Sequence, residues 1–246
     1  MNFIQANNSK KICDIDLTQF NDPLNRYTTL KRSTLLEFLF NNVPENEIKF
    51  NSNITKIENA NGFRITLDEN THEEFDYLII ADGIFSKTKS LILNDITNPK
   101  YNFNVALRGK LRGDYGSDIS IYMASNSHYV IYPIKQNNEY NFVAIIKKKL
   151  SSDELRNYDL FKSNEFLSSL KSSLQKTSQI NFGHLSELKS FPVYVSSKFP
   201  NLNEQNIFLS GDALFTFPPS FAQGASQIIQ TANDILKSIL NGSYEY

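Results

Sequence analysis

Cysteine, histidine and glycine are scarce in this chain, and each scarcity removes a class of function. One cysteine, Cys13, stands in the 246 residues, so no internal disulfide can form. His72, His128 and His184 are the only imidazoles, and they are not clustered at metal-ligand spacing, which argues against a structural zinc. The nine glycines form neither a Gly-x-Gly-x-x-Gly turn nor a P-loop, the two common Gly-rich phosphate cradles. No stretch approaches the roughly 18 apolar residues of a membrane span. The opening MNFIQANNSKK lacks an apolar run behind a basic segment, so a cytoplasmic protein is expected.

Charge of one sign is also lacking. The 25 Lys and Arg nearly balance the 26 Asp and Glu, leaving a net charge of -1 and no overall field to recruit nucleic acid or an anionic surface. The one basic run, Lys147-Lys148-Lys149, carries no interleaved aromatics and reads as a solvated strand end.

What is present is a globular balance, with 40% hydrophobic and 21% charged residues. The length fits one large domain or two joined layers. Residues 1–30 are polar, with turn chemistry at Asn21-Asp22-Pro23, and read as a short hairpin or loop. STLLEFLFNNV places Leu35, Leu36, Leu39 and Phe40 on one helical face, with Ser33 or Thr34 as cap and Glu37 in the first turn. IKFNSN, ITKIEN and FRITLD read as short strands, the last two joined at Asn61-Gly62. Tyr77 to Ala81 is a continuous apolar run, predicted as a strand buried on both faces, and it stops at Asp82-Gly83.

Residues 101–148 alternate as an antiparallel meander, and 151–180 switch to helical spacing with Asp153 and Glu154 near the first turn. PVYVS and NIFLSGD are strands again. A helix from about Gln223 to Leu240 follows, with Ile228, Ile229, Ala232, Ile235, Leu236 and Ile239 on its apolar face.

Two strand-to-turn elements could carry chemistry. After NIFLS, Gly211 permits close approach of a ligand to the backbone, and Asp212 can accept hydrogen bonds from sugar hydroxyls. The helix beginning at Gln223-Gly224-Ala225 then offers unpaired amides to an anionic group. The plain alternative is a tight turn at Gly211 capped by Asp212. Asp82-Gly83 after YLIIA permits the same two readings.

Three blocks of this sequence resemble the FAD-dependent aromatic hydroxylases, the single-component flavoprotein monooxygenases that include salicylate hydroxylase and the ubiquinone-pathway hydroxylases. FDYLIIADGIFSKTKS is similar to the family's Asp-Gly motif at Asp82, Gly83 and Ser86, with Lys89 where arginine is usual. GDALFTFPPSFAQGASQ is similar to its Gly-Asp motif at Gly211, Asp212, Ala213, Pro219, Gln223, Gly224 and Ala225. LKRSTLLEFL resembles the segment in which an arginine, here Arg32, precedes a Leu-rich helix near the flavin. NVALRGKL and HYVIYPIKQNNEYNFVAI resemble the substrate sheet of the salicylate-hydroxylase branch, including Arg108, His128, Tyr132 and Pro133.

The resemblance implies a mixed α/β fold: an FAD-binding, Rossmann-like layer from residues 1–98 and 186–246, and an inserted antiparallel substrate sheet at 99–185. It implies FAD as cofactor, NAD(P)H as co-substrate and hydroxylation of a small aromatic substrate with O2. The cofactor-binding set would be Arg32, Asp82, Gly83, Gly211, Asp212, Pro219, Gln223, Gly224 and Ala225; the substrate-binding set would be Arg108, His128 and Tyr132. The flavin carries the chemistry in this scheme, so no side chain is assigned a proton-transfer role.

The family's opening Gly-x-Gly-x-x-Gly unit, which holds the FAD pyrophosphate, is not found in this sequence. Phe215 stands where histidine is usual. A truncated family member is therefore expected. Two alternatives stay open: a non-catalytic binding module, and one half of a split flavoprotein whose Gly-rich unit comes from another polypeptide pairing with the strand edge beside YLIIAD. A flavin-dependent reductase acting on prenyl chains shares the same cofactor layer.

Overall fold

The computed structural model describes residues 1–18, 29–59, 62–68, 71–93, 98–135, 139–200, 202 and 206–242. In chain order the elements open with β1 (Asn2–Gln5), β2 (Lys11–Asp14) and α1 (Arg32–Phe40). There follow β3 (Ile54–Asn59), β4 (Phe63–Leu67), β5 (His72–Phe75), β6 (Leu78–Ile80) and α2 (Lys87–Ile92). The long strands β7 (Lys100–Arg112), β8 (Ser120–Ala124), β9 (Ser127–Lys135) and β10 (Glu139–Lys147) come next. Then come α3 (Ser152–Arg156), α4 (Asn164–Gln175), β11 (Leu185–Val195), β12 (Ile207–Leu209) and α5 (Gly224–Asn241). The result is mixed α/β, as expected. Among the described residues no helix is long and apolar enough to cross a membrane. The expected turn at Asn21-Asp22-Pro23, and Asn61 of the expected hairpin turn, lie outside the described residues.

The chain divides into two compact units, Met1–Pro44 with Phe103–Val193, and Glu45–Asn102 with Tyr194–Tyr246. Residues 1–44 and 186–193, placed in the cofactor layer on sequence grounds, cluster here with the antiparallel strands, because β1 hydrogen-bonds β8 and β11 hydrogen-bonds β7.

The first unit is built on a seven-stranded sheet in the order β11-β7-β10-β9-β8-β1-β2. Of the hairpin or loop expected in residues 1–30, the hairpin forms as β1 and β2, and β1 adds parallel to β8. β8, β9 and β10 make the predicted meander, while β7 lies beyond β10. Alternation sets the two faces. Val105, Leu107, Leu111, Tyr129, Ile131, Phe142, Ala144 and Ile146 bury one face beneath Phe166, Leu167, Leu170 and Leu174 of α4. Each Val, Leu, Ile or Phe among them contributes roughly 1.5–3 kcal/mol relative to exposure.

The predicted helical signals at 151–180 are realised locally. Ser151 and Glu154 form a reciprocal capping box on α3, and Ser163 caps α4 by accepting from the Phe166 amide. Lys148 sits with its ammonium over the Phe166 ring, 5.2 Å from the centroid, while its neighbours Lys147 and Lys149 are exposed.

α1 departs from expectation. Its N-cap is Lys31 with no side-chain cap bond, so neither Ser33 nor Thr34 caps it, and Glu37 lies beyond the first turn. None of its residues is buried, and Leu36, Leu39 and Phe40 are exposed. The 3.6-residue apolar period formed the helix without a covering layer in this unit.

In the second unit β3, β4 and β5 form an antiparallel sheet, and β6 pairs parallel with β12. Phe63 and Ile65 meet Leu78, Ile80, Ile207, Leu209 and Ala213 in one core. IKFNSN forms no strand: a 3-10 turn at Glu45–Glu47 precedes it, and Asn51 at φ +53° breaks the extended run. β6 is not buried on both faces either. Leu78 and Ile80 enter the core, while Ile79, on the opposite face of the pleat, is 50% exposed.

Candidate functional site

The parallel register of β6 and β12 places the two unusual turns side by side. Leu78 faces Ile207, Ile79 faces Phe208 and Ile80 faces Leu209, and the Ser210 amide donates to the Ile80 carbonyl at 2.9 Å. Two residues further along each strand stand Asp82 and Gly211. Asp82-Gly83 and Gly211-Asp212 therefore leave the carboxyl end of one strand pair together, the position at which parallel α/β sheets bind ligands.

Each turn is held differently. At the first, the Thr88 amide donates to Asp82 Oδ2 at 3.1 Å, and the Ser86 hydroxyl accepts from the Lys89 amide at 2.9 Å, capping α2. Burial pushes the Asp82 carboxyl up. Hydrogen bonds from the Ser86 hydroxyl and from the Thr88 amide and hydroxyl outweigh that and hold it below the usual carboxylate value. Asp82 thus spends its acceptors on its own turn, while Gly83 (φ +88°) presents bare backbone with open space where a Cβ would stand.

At the second turn Gly211 is left-handed, φ +57°, and the amides of Leu214 and Phe215 both donate to its carbonyl, at 3.0 and 3.1 Å. The Asp212 carboxylate is exposed and has no hydrogen-bond partner among the described residues, so it is an available acceptor. Beyond it the chain is pinned by Thr216 and Ser196. The Ser196 amide donates to the Thr216 carbonyl and the Thr216 amide to Ser196 Oγ, each at 3.0 Å, while Thr216 Oγ1 donates to the Asp212 carbonyl at 3.1 Å. A 3-10 turn at Pro219–Phe221 follows, then Ala222 at φ +52°, a conformation an L-residue enters at a cost.

α5 starts immediately after. Its N-cap Gln223 makes no side-chain cap bond, and a Cβ on Gly224 would meet open space. The amides of Gly224, Ala225 and Ser226 precede the first intrahelical donor, Gln227, and project from the positive end of an 18-residue helix. These residues suit the isoalloxazine and ribityl part of a flavin: an exposed carboxylate for hydroxyls, open glycine backbone and uncommitted amides for an electron-rich edge.

The sequence-predicted set is thereby partly assembled. Asp82, Gly83, Gly211, Asp212, Pro219, Gln223, Gly224 and Ala225 all belong to the second unit. Arg32, the first residue of α1, is exposed in the first unit. Lys89 had only been matched to a motif position, yet its Nζ donates to the Ala213 carbonyl at 3.0 Å and joins one turn to the other. Ser196 and Thr216 carried no sequence signal, because the reciprocal bonds join residues of ordinary type across 20 positions.

Arg108, His128 and Tyr132 share the sheet face opposite α4. Val143 of β10 pairs with both Arg108 and Val130, and His128 and Tyr132 lie two residues either side of Val130. His128 and Tyr132 are therefore roughly 13 Å apart along β9, and Arg108 stands two strands away, roughly 10 Å. They line a face rather than converge on a point. The guanidinium of Arg108 lies 6.0 Å from the Phe191 ring centroid and has no carboxylate partner among the described residues. Lys110, on the same strand, is instead paired with Glu139 and Glu187. Burial pushes the His128 imidazole below its usual value, keeping it neutral at pH 7.

No family model matches the chain. Monooxygenase 2 of Arabidopsis thaliana is 23% identical over 210 residues, which cover 82% of this chain and 51% of that protein. Among solved structures, HpxO of Klebsiella pneumoniae complexed with FAD and uric acid superposes with a TM-score of 0.71 at 16% identity, covering 94% of this chain and 60% of that one. A salicylate hydroxylase substrate complex gives 0.70 at 16% identity over 94% and 60%. The 2,6-dihydroxypyridine-3-hydroxylase of Arthrobacter nicotinovorans gives 0.70 at 18% identity over 95% and 64%. The chain therefore has the fold of the FAD-dependent aromatic hydroxylases, and it spans about half the length of the curated relative and about 60% of these structures.

Proposed function

We propose that this chain forms the flavin-facing and substrate-facing part of an FAD-dependent monooxygenase that hydroxylates a small aromatic compound with NAD(P)H and O2. The observation that carries the reading is the alignment of Asp82-Gly83 and Gly211-Asp212 at one end of the β6–β12 pair, with the open N-terminus of α5 following in the same unit. The shared fold with FAD-bound monooxygenases supports it.

When bound, FAD supplies hydride acceptance and oxygen activation. The chain's own residues hold and polarise. Asp212 accepts hydrogen bonds from ribityl hydroxyls. The amides of Gly224, Ala225 and Ser226, at the positive helix end, would offset negative charge on a bound flavin. Pro219 and the left-handed Ala222 set the path of the loop that would support the flavin. Gly83 lets backbone approach, and Arg32 is assigned to the cofactor from motif position alone.

On the substrate side the unpaired guanidinium of Arg108 suits an anionic aromatic, with Phe191 beside it as an apolar flank. Neutral His128 and Tyr132 offer hydrogen bonds to ring substituents. The 246 residues contain no Gly-x-Gly-x-x-Gly turn, and among the described residues β6 has no strand on its second edge. The ADP half of FAD would then be held by a Gly-rich segment outside these residues, in the same polypeptide or a second one.

The test is to titrate FMN and FAD with the purified chain by flavin fluorescence, then to follow NAD(P)H oxidation and O2 consumption with aromatic acids. Binding of FMN, with FAD held more tightly once a Gly-rich fragment is added, is the expected result. No binding of either flavin at high micromolar concentration, with or without that fragment, would overturn the reading.

A further inference from the structure

The Lys89 side chain links the two motif turns. Its backbone belongs to the first turn: Ser86 donates its amide to the Gly83 carbonyl at 3.1 Å, and the Lys89 amide donates to Ser86 Oγ at 2.9 Å. Its ammonium ends on the second turn, at the Ala213 carbonyl 3.0 Å away. The contact spans 124 positions of sequence.

Ala213 is fully buried, and its amide donates to the Ser210 carbonyl at 3.3 Å. The amides that follow, Leu214 and Phe215, both go to the Gly211 carbonyl. The Ala213 carbonyl therefore receives a donor from outside the turn, and a carbonyl enclosed without one would carry its full desolvation cost. Lys89 has no carboxylate salt-bridge partner within 4 Å among the described residues. A partly buried ammonium satisfied by a carbonyl is an expensive way to close a turn. Burial lowers the Lys89 pKa below the usual ammonium value, and the nearby Asp82 charge opposes that fall.

We propose that Lys89 is a positioning residue: by donating to Ala213 it fixes the Gly211–Ala213 turn, and with it Asp212, in the shape that receives the ribityl chain of a flavin. The proposal rests on the flavin reading above. Without the tie, Asp212 remains exposed and acidic but loses its fixed distance from the Asp82 turn. The effect on flavin is indirect, through backbone.

The experiment compares wild type with Lys89→Met, Lys89→Gln and Lys89→Arg in the same chain. Amide hydrogen exchange at Leu214 and Phe215 is measured without flavin, and FMN affinity by fluorescence, with amides of β9 and β10 as internal controls. Lys89→Met should speed exchange at those two amides and weaken FMN binding, each about tenfold, the factor one hydrogen bond from a charged donor carries. The controls should be unmoved, and Lys89→Arg should restore both. Lys89→Gln serves in place of Lys89→Met if the latter does not fold. Unchanged exchange at Leu214 and Phe215, faster exchange with unchanged FMN affinity, or no rescue by arginine each overturns the proposal. Failure of wild type to bind FMN sinks the flavin reading instead, with the exchange data still deciding whether Lys89 holds the turn.

Discussion

A Cβ placed on Gly211 would stand 2.9 Å from Cδ1 of Ile228, on the first turns of α5. The glycine is required twice, once by φ +57° and once by this contact, because the helix that follows the loop folds back onto the turn that precedes it. Gly211→Ala should destabilise the second unit by about 1–3 kcal/mol, from left-handed strain plus displacement of Ile228. Ile228→Ala in the same background removes the clash and should recover part of that loss in denaturant unfolding. Equal stability of Gly211→Ala and wild type would refute the packing argument.

Asp82 predicts an acid-side sensitivity. Hydrogen bonds from Ser86 and Thr88 hold its folded-state pKa below the ordinary carboxylate value, against the opposing effect of burial. Its contribution is therefore complete above about pH 4, and is lost as pH falls from there through the folded value. Asp82→Asn removes the titration. The melting temperature of this variant should fall less steeply below pH 4 than that of wild type, while the two curves run parallel above pH 5. Identical acid limbs would show that the Asp82 carboxylate does not stabilise its turn.

Tyr129 predicts the opposite limb. It is fully buried, its hydroxyl is hydrogen-bonded to Ser178 Oγ, and burial pushes the phenol well above its usual value. The unfolded chain ionises this tyrosine near pH 10 while the folded chain does not, so stability falls as pH rises beyond 10. Ser178→Ala strands the buried hydroxyl and should cost about 1–3 kcal/mol in urea unfolding. Tyr129→Phe removes the stranded group and the ionisation, so its alkaline limb should be flatter. A steeper limb in Tyr129→Phe would contradict the assignment.

Much of this architecture was legible in the sequence because period and punctuation coincide. Asp153 and Glu154 announce the first turn of a helix, and the two-residue alternation of β7, β9 and β10 separates Val105, Leu107 and Phe142 from Arg108 and Val143. Aspartate and glycine after two apolar runs marked both turns. What pattern could not give was how the elements are covered. Leu36, Leu39 and Phe40 have helical spacing, yet burial depends on which surface meets them, and a spacing is silent about that. Asn51 broke a run that alternation alone would extend. The same limit hid the link from Lys89 to Ala213 and the clasp between Ser196 and Thr216, whose partners are distant in sequence and chemically ordinary.

Arg108 and Phe191 yield the sharpest prediction on substrate choice. The guanidinium lies over the ring rather than against a carboxylate, so it retains its hydrogen-bonding edge for an incoming anion. Arg108→Gln should weaken binding of aromatic carboxylates about 10- to 100-fold, the range for a charge-assisted pair, and leave neutral aromatics of the same size within about twofold. Phe191→Ala should weaken both classes alike, since it removes apolar contact and leaves the charge in place. Binding measured by calorimetry or by quenching of bound flavin separates the two patterns. An Arg108→Gln protein that loses neutral and charged ligands equally would show that Arg108 shapes the face, and that the anion is recognised elsewhere.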